Sequence, residues 1–422
     1  MGSVRVKYRG QQAHFREETA MTGAATSGSA RVSGIGLLTD LAAFPWHERP
    51  PFGWWAAALA LIAGRVAQAV DRCRALVTAH PERLDLRARL GVMLLQTGGD
   101  SVVQEAVDHL APAVKRDPDH PHLRRWLAEA LVRSGMPEAA IAHLDAGLRV
   151  NPGLPDLWVT KGRTLLALGR PEEALVFIDG ALAGRPRSGT LWNLRGLCLN
   201  ELGRLQEAAD AYRRAARLLR TDGAVWANLG LALQKTGQTA EALRALLRAV
   251  RLRPSDPTLL NNVGYTLLRA GRTREAIESY RQASALEPDS PLTLGNLAAA
   301  LFEGGMMAEA TALLDAALQK APGDPTLLNN KGHLLLKAGQ YREALACFEE
   351  ALKRAPDDPA ALANQAACYF ALGRYEQALN AYRLAVATEP HNKQYLWSIG
   401  ACLERLGRAE EALQTYNQAL GA

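Results

Sequence analysis

The chain reads as an all-α solenoid of stacked helix pairs, and three observations predict it. A glycine recurs nine times at a spacing of 34, at Gly135, Gly169, Gly203, Gly237, Gly271, Gly305, Gly339, Gly373 and Gly407. An alanine follows each glycine five residues later, from Ala140 to Ala412, with no insertion in the series. The residues between these markers keep helical spacing. A period of this size marks units too small to bury their own apolar face, so each must stack on its neighbours.

The elements of one unit follow in order. With the glycine as position 15, the run before it has apolar or small residues at positions 4, 7, 8 and 11, as in Trp226, Leu229, Gly230 and Leu233. That spacing gives a first helix with one buried stripe. The glycine ends it by supplying the left-handed conformation of a tight turn. A second helix follows with alanine at position 20, a large residue at 24 and a small one at 27, as in Ala208, Tyr212 and Ala215. Small residues let two helix axes approach, and the large one fills the remaining space. A proline near position 32 stops the second helix. Pro152, Pro186, Pro254, Pro288, Pro322, Pro356 and Pro390 stand there, and Arg220 departs from the series.

This pattern resembles the tetratricopeptide repeat (TPR), with Trp158, Gly162, Leu165, Gly169, Ala174, Ala181 and Pro186 as a close match. The resemblance implies a right-handed α-α superhelix. Ten clear repeats are expected at 84–120, 121–154, 155–188, 189–222, 223–256, 257–290, 291–324, 325–358, 359–392 and 393–422, the first with three extra residues near Asp100. Gly64, Ala69 and Pro81 bring a degenerate repeat over 50–83 into register.

Residues 1–49 are different in kind. The stretch Met21 to Gly36 is rich in Gly, Ala, Ser and Thr and has no helical period, so it is expected to be disordered or irregular. Phe44, Trp46, Phe52, Trp54 and Trp55 then precede a short apolar run ending at Gly64. That run is too short for a membrane span, which needs about 20 residues. Two readings stand: the aromatics close the open end of the solenoid, or they touch a membrane interface peripherally.

Composition narrows the function. A formal charge of +6 over 422 residues is small, and the arginines recur along second helices instead of forming a basic stripe, so no nucleic-acid partner is expected. Cys198, Cys368 and Cys402 share position 10 in three repeats, while Cys73 and Cys347 fall in second helices. Their placement predicts packing and a reducing, cytoplasmic compartment, with neither disulfides nor a metal site. No P-loop, GxGxxG, GxSxG or HExxH motif occurs, and Asp119, His120 and His122 sit at a repeat junction where capping and loop residues belong. No enzyme activity, cofactor or metal is expected.

The distinctive polar feature is Asn228, Asn262, Asn296, Asn330 and Asn364, at position 6 of five consecutive repeats. At about 100 degrees per residue, position 6 lies opposite the buried stripe, so these side chains are expected to share an exposed face. Asn261 and Asn329 at position 5, with Tyr265 and His333 at position 9, belong to the same surface, and Phe302, Phe370 and Trp397 lie near it. Because first helices line the concave side in the TPR family, the resemblance implies an asparagine ladder along a groove, similar to that of the TPR superhelix of O-GlcNAc transferases but without a catalytic domain. An Asn amide both donates and accepts, so it can pair with a peptide backbone. The competing reading is structural: Asp256–Gly271 and Asp324–Gly339 are near copies, so duplication accounts for part of the series.

These features predict a protein-interaction scaffold that binds an extended or helical segment of other proteins in the concave groove, as a monomer or weak homodimer. The alternatives are a substrate-presenting or adaptor subunit of a separately encoded enzyme such as a glycosyltransferase, and a membrane-peripheral assembly factor. The acidic-tail clamp of cochaperones is not expected, since no repeat has Asn at position 9.

Overall fold

The computed structural model describes residues 66–97 and 102–421. The N-terminal segment 1–49, the aromatic cluster from Phe44 to Trp55, the first half of the degenerate repeat and the insertion near Asp100 lie outside the described residues. Two compact units divide the rest between Thr236 and Gly237.

The N-terminal unit holds α1 (Val66–Ala79), α2 (Leu84–Thr97), α3 (Val103–Arg116), α4 (Pro121–Arg133), α5 (Pro137–Val150), α6 (Pro155–Ala167), α7 (Pro171–Gly184), α8 (Gly189–Glu201), α9 (Leu205–Leu218) and α10 (Gly223–Lys235). The C-terminal unit holds α11 (Thr239–Leu252), α12 (Pro257–Arg269), α13 (Thr273–Leu286), α14 (Pro291–Glu303), α15 (Met307–Lys320), α16 (Pro325–Lys337), α17 (Tyr341–Arg354), α18 (Pro359–Ala371), α19 (Tyr375–Thr388), α20 (Lys393–Arg405) and α21 (Ala409–Gly421). All twenty-one elements among the described residues are helices. Within each unit every helix packs on the one before and the one after it, which is the solenoid order.

Local chemistry sets the boundaries. All nine turn glycines take positive φ, between 68° and 80°. At the end of α4, Gly135 N–H donates to Val132 O at 3.2 Å and Met136 N–H to Leu131 O at 2.8 Å, the two bonds of a Schellman turn. Most first helices start on a side-chain cap, α6 after Leu154 being an exception: Asp256 accepts from Leu259 N–H at 3.2 Å and Asp324 from Leu327 N–H at 2.8 Å, each followed by proline in the first turn. His120 does the same through Nδ1, accepting from Leu123 N–H at 3.3 Å. Four second helices start on an Arg–Glu salt bridge instead. Arg204 grips Glu207 through two bonds of 2.7 Å, and Arg272 holds Glu275 in the same way.

The core is built by pairing position 8 with position 24. A Cβ added at Gly264 would come within 2.8 Å of the Tyr280 ring, at Gly196 within 2.5 Å of Tyr212, and at Gly332 within 2.7 Å of Phe348. Where position 8 is alanine, as at Ala128 and Ala298, position 24 is the smaller Leu144 or Leu314, all of them buried. Ala366 is the exception, facing Tyr382, which is 8% exposed where Tyr280 is fully enclosed. The alanines of position 20 are buried in every repeat from Ala140 to Ala412.

The departure at Arg220 leaves the linker unchanged. Trp158 and Trp192 donate their indole N–H to the carbonyls of Pro152 and Pro186, both at 2.9 Å, and Trp226 donates to Arg220 O at 3.1 Å. The indole holds the main chain at position 32 whether or not a proline stands there.

Candidate functional site

First helices touch the first helices of adjacent repeats as well as their own partners, as in α4 with α6, α6 with α8, α12 with α14 and α14 with α16. This contact decides where the asparagines go. In the N-terminal unit, Asn228 Nδ2 donates to Asn193 Oδ1 at 3.2 Å, and Lys235 Nζ donates to Asn200 Oδ1 at 3.0 Å. In the C-terminal unit, Asn364 Nδ2 donates to Asn329 Oδ1, again at 3.2 Å. A position-6 amide is therefore aimed at position 5 of the preceding repeat, 35 residues earlier.

The expected exposed face is corrected by this packing. Asn261 and Asn262 are each 6% exposed and Asn296 is 4% exposed, whereas Asn228, Asn329, Asn330 and Asn364 are half-buried. An angular count over one helix locates the stripe turned to its own partner, but it omits the neighbouring first helix that covers the opposite side. Asn261 shows the cover directly, donating to Thr293 Oγ1 at 2.9 Å as well as to Pro257 O at 3.1 Å. Gly295 shows it by space: a Cβ there would clash with Asn330 Nδ2, so the amide lies against bare backbone of α14.

The other residues expected on this surface differ in environment. Tyr265 is half-buried and its OH accepts from Arg269 Nη1 at 3.4 Å. His333 is pushed down to about 4, first by burial and then by the Lys337 charge, and its Nδ1 is enclosed without a hydrogen-bond partner. Phe370 is half-buried and meets Tyr375 edge-on at 5.3 Å. Phe302 is likewise half-buried. Trp397 is 47% exposed and stacks obliquely on Tyr416 at 4.7 Å. Asn193 with Asn228 and Asn200 with Lys235 form two separate ties between the same two first helices, and the spacing of 35 between position 5 and the next position 6 is the signal that finds the first of them.

The thiols are inert. Cys73, Cys198 and Cys368 are pushed up to about 12 by burial, and Cys402 to about 11, so each stays a protonated core group at neutral pH. Among the described residues no cluster of His, Cys, Asp or Glu is arranged to hold a metal, and no helix is long and apolar enough to cross a membrane.

Comparison with known proteins agrees with this architecture. Residues 105–329 match the family described as the cilia and flagella-associated protein 70 C-terminal domain, and residues 329–388 and 369–422 match the tetratricopeptide repeat family. No curated protein matches the chain in sequence. Among solved structures, yeast Tom70 is similar at 13% identity and a TM-score of 0.53, covering 87% of this chain and 90% of that one, which speaks to the fold alone. MamA from Desulfovibrio magneticus RS-1 is 25% identical over 39% of this chain and 93% of its own, with a TM-score of 0.33. YrrB, described as a TPR protein with an unusual peptide-binding site, is 21% identical over 44% of this chain and 97% of its own, with a TM-score of 0.38. The chain thus has a protein-interaction scaffold fold and belongs to the tetratricopeptide repeat proteins, within the family of the cilia and flagella-associated protein 70 C-terminal domain over residues 105–329.

Proposed function

We propose that this protein is a non-enzymatic scaffold that binds an extended or helical segment of partner proteins along the face of its first helices. The observation that carries the reading is the unused hydrogen-bonding capacity of the half-buried asparagines. Asn228 and Asn364 each commit one N–H to the preceding repeat, leaving the second N–H and Oδ1 for a ligand, and Asn330 makes no hydrogen bond among the described residues. Each such bond adds only about 0.5–1.5 kcal/mol net, so recognition of a backbone this way works by number. The buried Asn261, Asn262 and Asn296 position the helices and make no contact with the ligand.

The experiment compares two variants against a displayed library of random peptides. Replacing Asn330 and Asn364, both in the C-terminal unit, by Ala is expected to weaken selected peptides at least about tenfold, for roughly 1.4 kcal/mol of binding lost in all, with melting lowered only by the about 0.5–1.5 kcal/mol of the Asn364–Asn329 tie. Replacing Asn262 and Asn296 is expected to lower melting first. Equal binding by the first variant and the parent protein would sink the reading. An adaptor that presents substrates to a separate enzyme would use the same face with an enzyme or its substrate as occupant. We further infer a reducing, cytoplasmic setting from five free cysteines, and a monomer or weak homodimer, which sedimentation at several concentrations tests.

A further inference from the structure

The second helix α11 carries three arginines, Arg244, Arg248 and Arg251, and a single carboxylate, Glu241, in its first turn. Its core side is formed by Ala242, Leu243, Ala245, Leu246 and Ala249, all buried. At about 100 degrees per residue, the three arginines and Leu247 fall within an arc of about 100 degrees on the opposite side. Arg244, Leu247 and Arg251 are exposed there and Arg248 is half-buried. With a rise of about 1.5 Å per residue, the row from Arg244 to Arg251 is about 10 Å long.

Two features set this row apart. Several cations on other second helices of the C-terminal unit are matched by carboxylates: Arg281 pairs with Glu309 at 2.7 Å, Lys320 with Asp289 at 2.8 Å and Lys353 with Glu350 at 2.8 Å. Arg244, Arg248 and Arg251 have no carboxylate partner among the described residues, and Arg251 Nε turns to the Leu247 carbonyl of its own helix at 3.4 Å. The second feature is spacing. Arg244 and Arg248 stand four apart and Arg248 and Arg251 three apart, so like charges face each other and weaken the helix that carries them. An anion from outside relieves that repulsion. Leu247, 42% exposed in the middle of the row, narrows the kind of anion. A phosphate backbone brings nothing apolar to cover it, and one leucine is too little to bury in a bilayer, whereas a peptide can place an apolar side chain between its carboxylates.

We propose that the solvent face of α11 docks an acidic segment of a partner protein, whose carboxylates pair with Arg244, Arg248 and Arg251 and whose apolar side chain, set among them, covers Leu247. The row stands on a second helix, apart from the asparagines of the first helices. Its failure therefore leaves the scaffold reading untouched.

The probe is the blocked peptide acetyl-Glu-Glu-Leu-Glu-Glu-amide, added to the full chain at low salt up to about 10 mM to cover millimolar affinity. The readout is the Leu247 methyl resonances of methyl-labelled protein, identified by their loss in Leu247→Ala. A saturable shift is expected, with binding at least about tenfold weaker for the peptide in which Gln replaces every Glu, and at least about twofold weaker where Ser replaces its Leu. Arg244→Gln, Arg248→Gln and Arg251→Gln together are expected to weaken the Glu peptide about tenfold while the melting temperature holds or rises, because the like charges are gone. Equal response to the Glu and Gln peptides, no shift at the highest concentration, or an unchanged response in the folded triple variant overturns the proposal. So does a tighter response of the same methyl groups to a short DNA duplex or to phosphatidylserine vesicles, compared at equal concentration of negative charge. The comparison of peptides on the parent protein decides even where the triple variant does not fold.

Discussion

Asn364 Nδ2 donates to Asn329 Oδ1 across the gap between α18 and α16, joining position 6 of one repeat to position 5 of the one before it. Asn228 and Asn193 make the same bond in the N-terminal unit. The amide therefore serves as a lateral tie between first helices, whatever else it binds. Removing the acceptor with Asn329→Ala is expected to destabilise the C-terminal unit by about 0.5–1.5 kcal/mol, and Asn364→Ala by a similar amount. In the double variant the two losses should not add. A coupling energy near zero in a double-mutant cycle would show that the bond contributes nothing to folding.

Packing at position 8 gives a larger effect. A methyl group at Gly264 would press on three atoms of the Tyr280 ring at 2.8 to 2.9 Å, and the ring is fully enclosed. Gly264→Ala is expected to cost about 1–3 kcal/mol in denaturant unfolding. Adding Tyr280→Leu should recover part of that loss, because Ala298 with Leu314 shows that the smaller pair packs in the same frame. If the double variant is as unstable as the sum of the singles, the two positions are not in steric register.

The turn glycines fail for another reason. Gly135 has φ +80 and nothing within 4 Å of an added Cβ, so Gly135→Ala meets only backbone strain. A loss of about 1–2 kcal/mol is expected, with Gly135→Asn milder because Asn tolerates this region. Unlike Gly264→Ala, this loss should not be relieved by shrinking any neighbouring side chain, which hydrogen exchange on α4 and α5 can test.

These contrasts show what the sequence carries. Gly135, Ala140 and Tyr212 were legible because each acts within one repeat, so the period of 34 repeats the same demand nine times. The surroundings of Asn262 and Asn296 were hidden because they depend on the neighbouring first helix, which the periodicity of a single helix cannot represent. Asn193 is hidden in the sequence for the same reason, its partner standing at a spacing of 35.

His333 gives a pH prediction with a defined sign. Burial and Lys337 hold its pKa near 4 in the folded protein, below the ordinary value of 6.5. Between those values the unfolded chain takes up a proton that the folded one refuses, so stability is fully present above about 6.5 and falls as pH drops toward 4. The loss is at most about 3 kcal/mol at the low end. His333→Leu should flatten the fall in stability between pH 6.5 and 5, and an unchanged slope there would assign it to other groups.

Gly295 links packing to the proposed binding face. An added Cβ would clash with Asn330 Nδ2 and lie 2.8 Å from its Cγ, so the clash is with a half-buried side chain that can swing away and not with backbone. Gly295→Ala is therefore expected to cost less stability than Gly264→Ala, where the opposing ring has no exit. A helix-interior Gly→Ala also gains about 0.5–1 kcal/mol in propensity, which offsets part of the strain. The consequence falls on Asn330, whose amide must leave the α14 backbone. If Asn330 contacts ligand in its present position, Gly295→Ala will weaken peptide binding by about the same factor as Asn330→Ala, each bond contributing roughly 0.5–1.5 kcal/mol, while melting stays close to that of the parent protein. Unaltered binding in Gly295→Ala alongside a loss in Asn330→Ala would mean that the amide reaches its ligand from a different rotamer, and unaltered binding in both would remove Asn330 from the site.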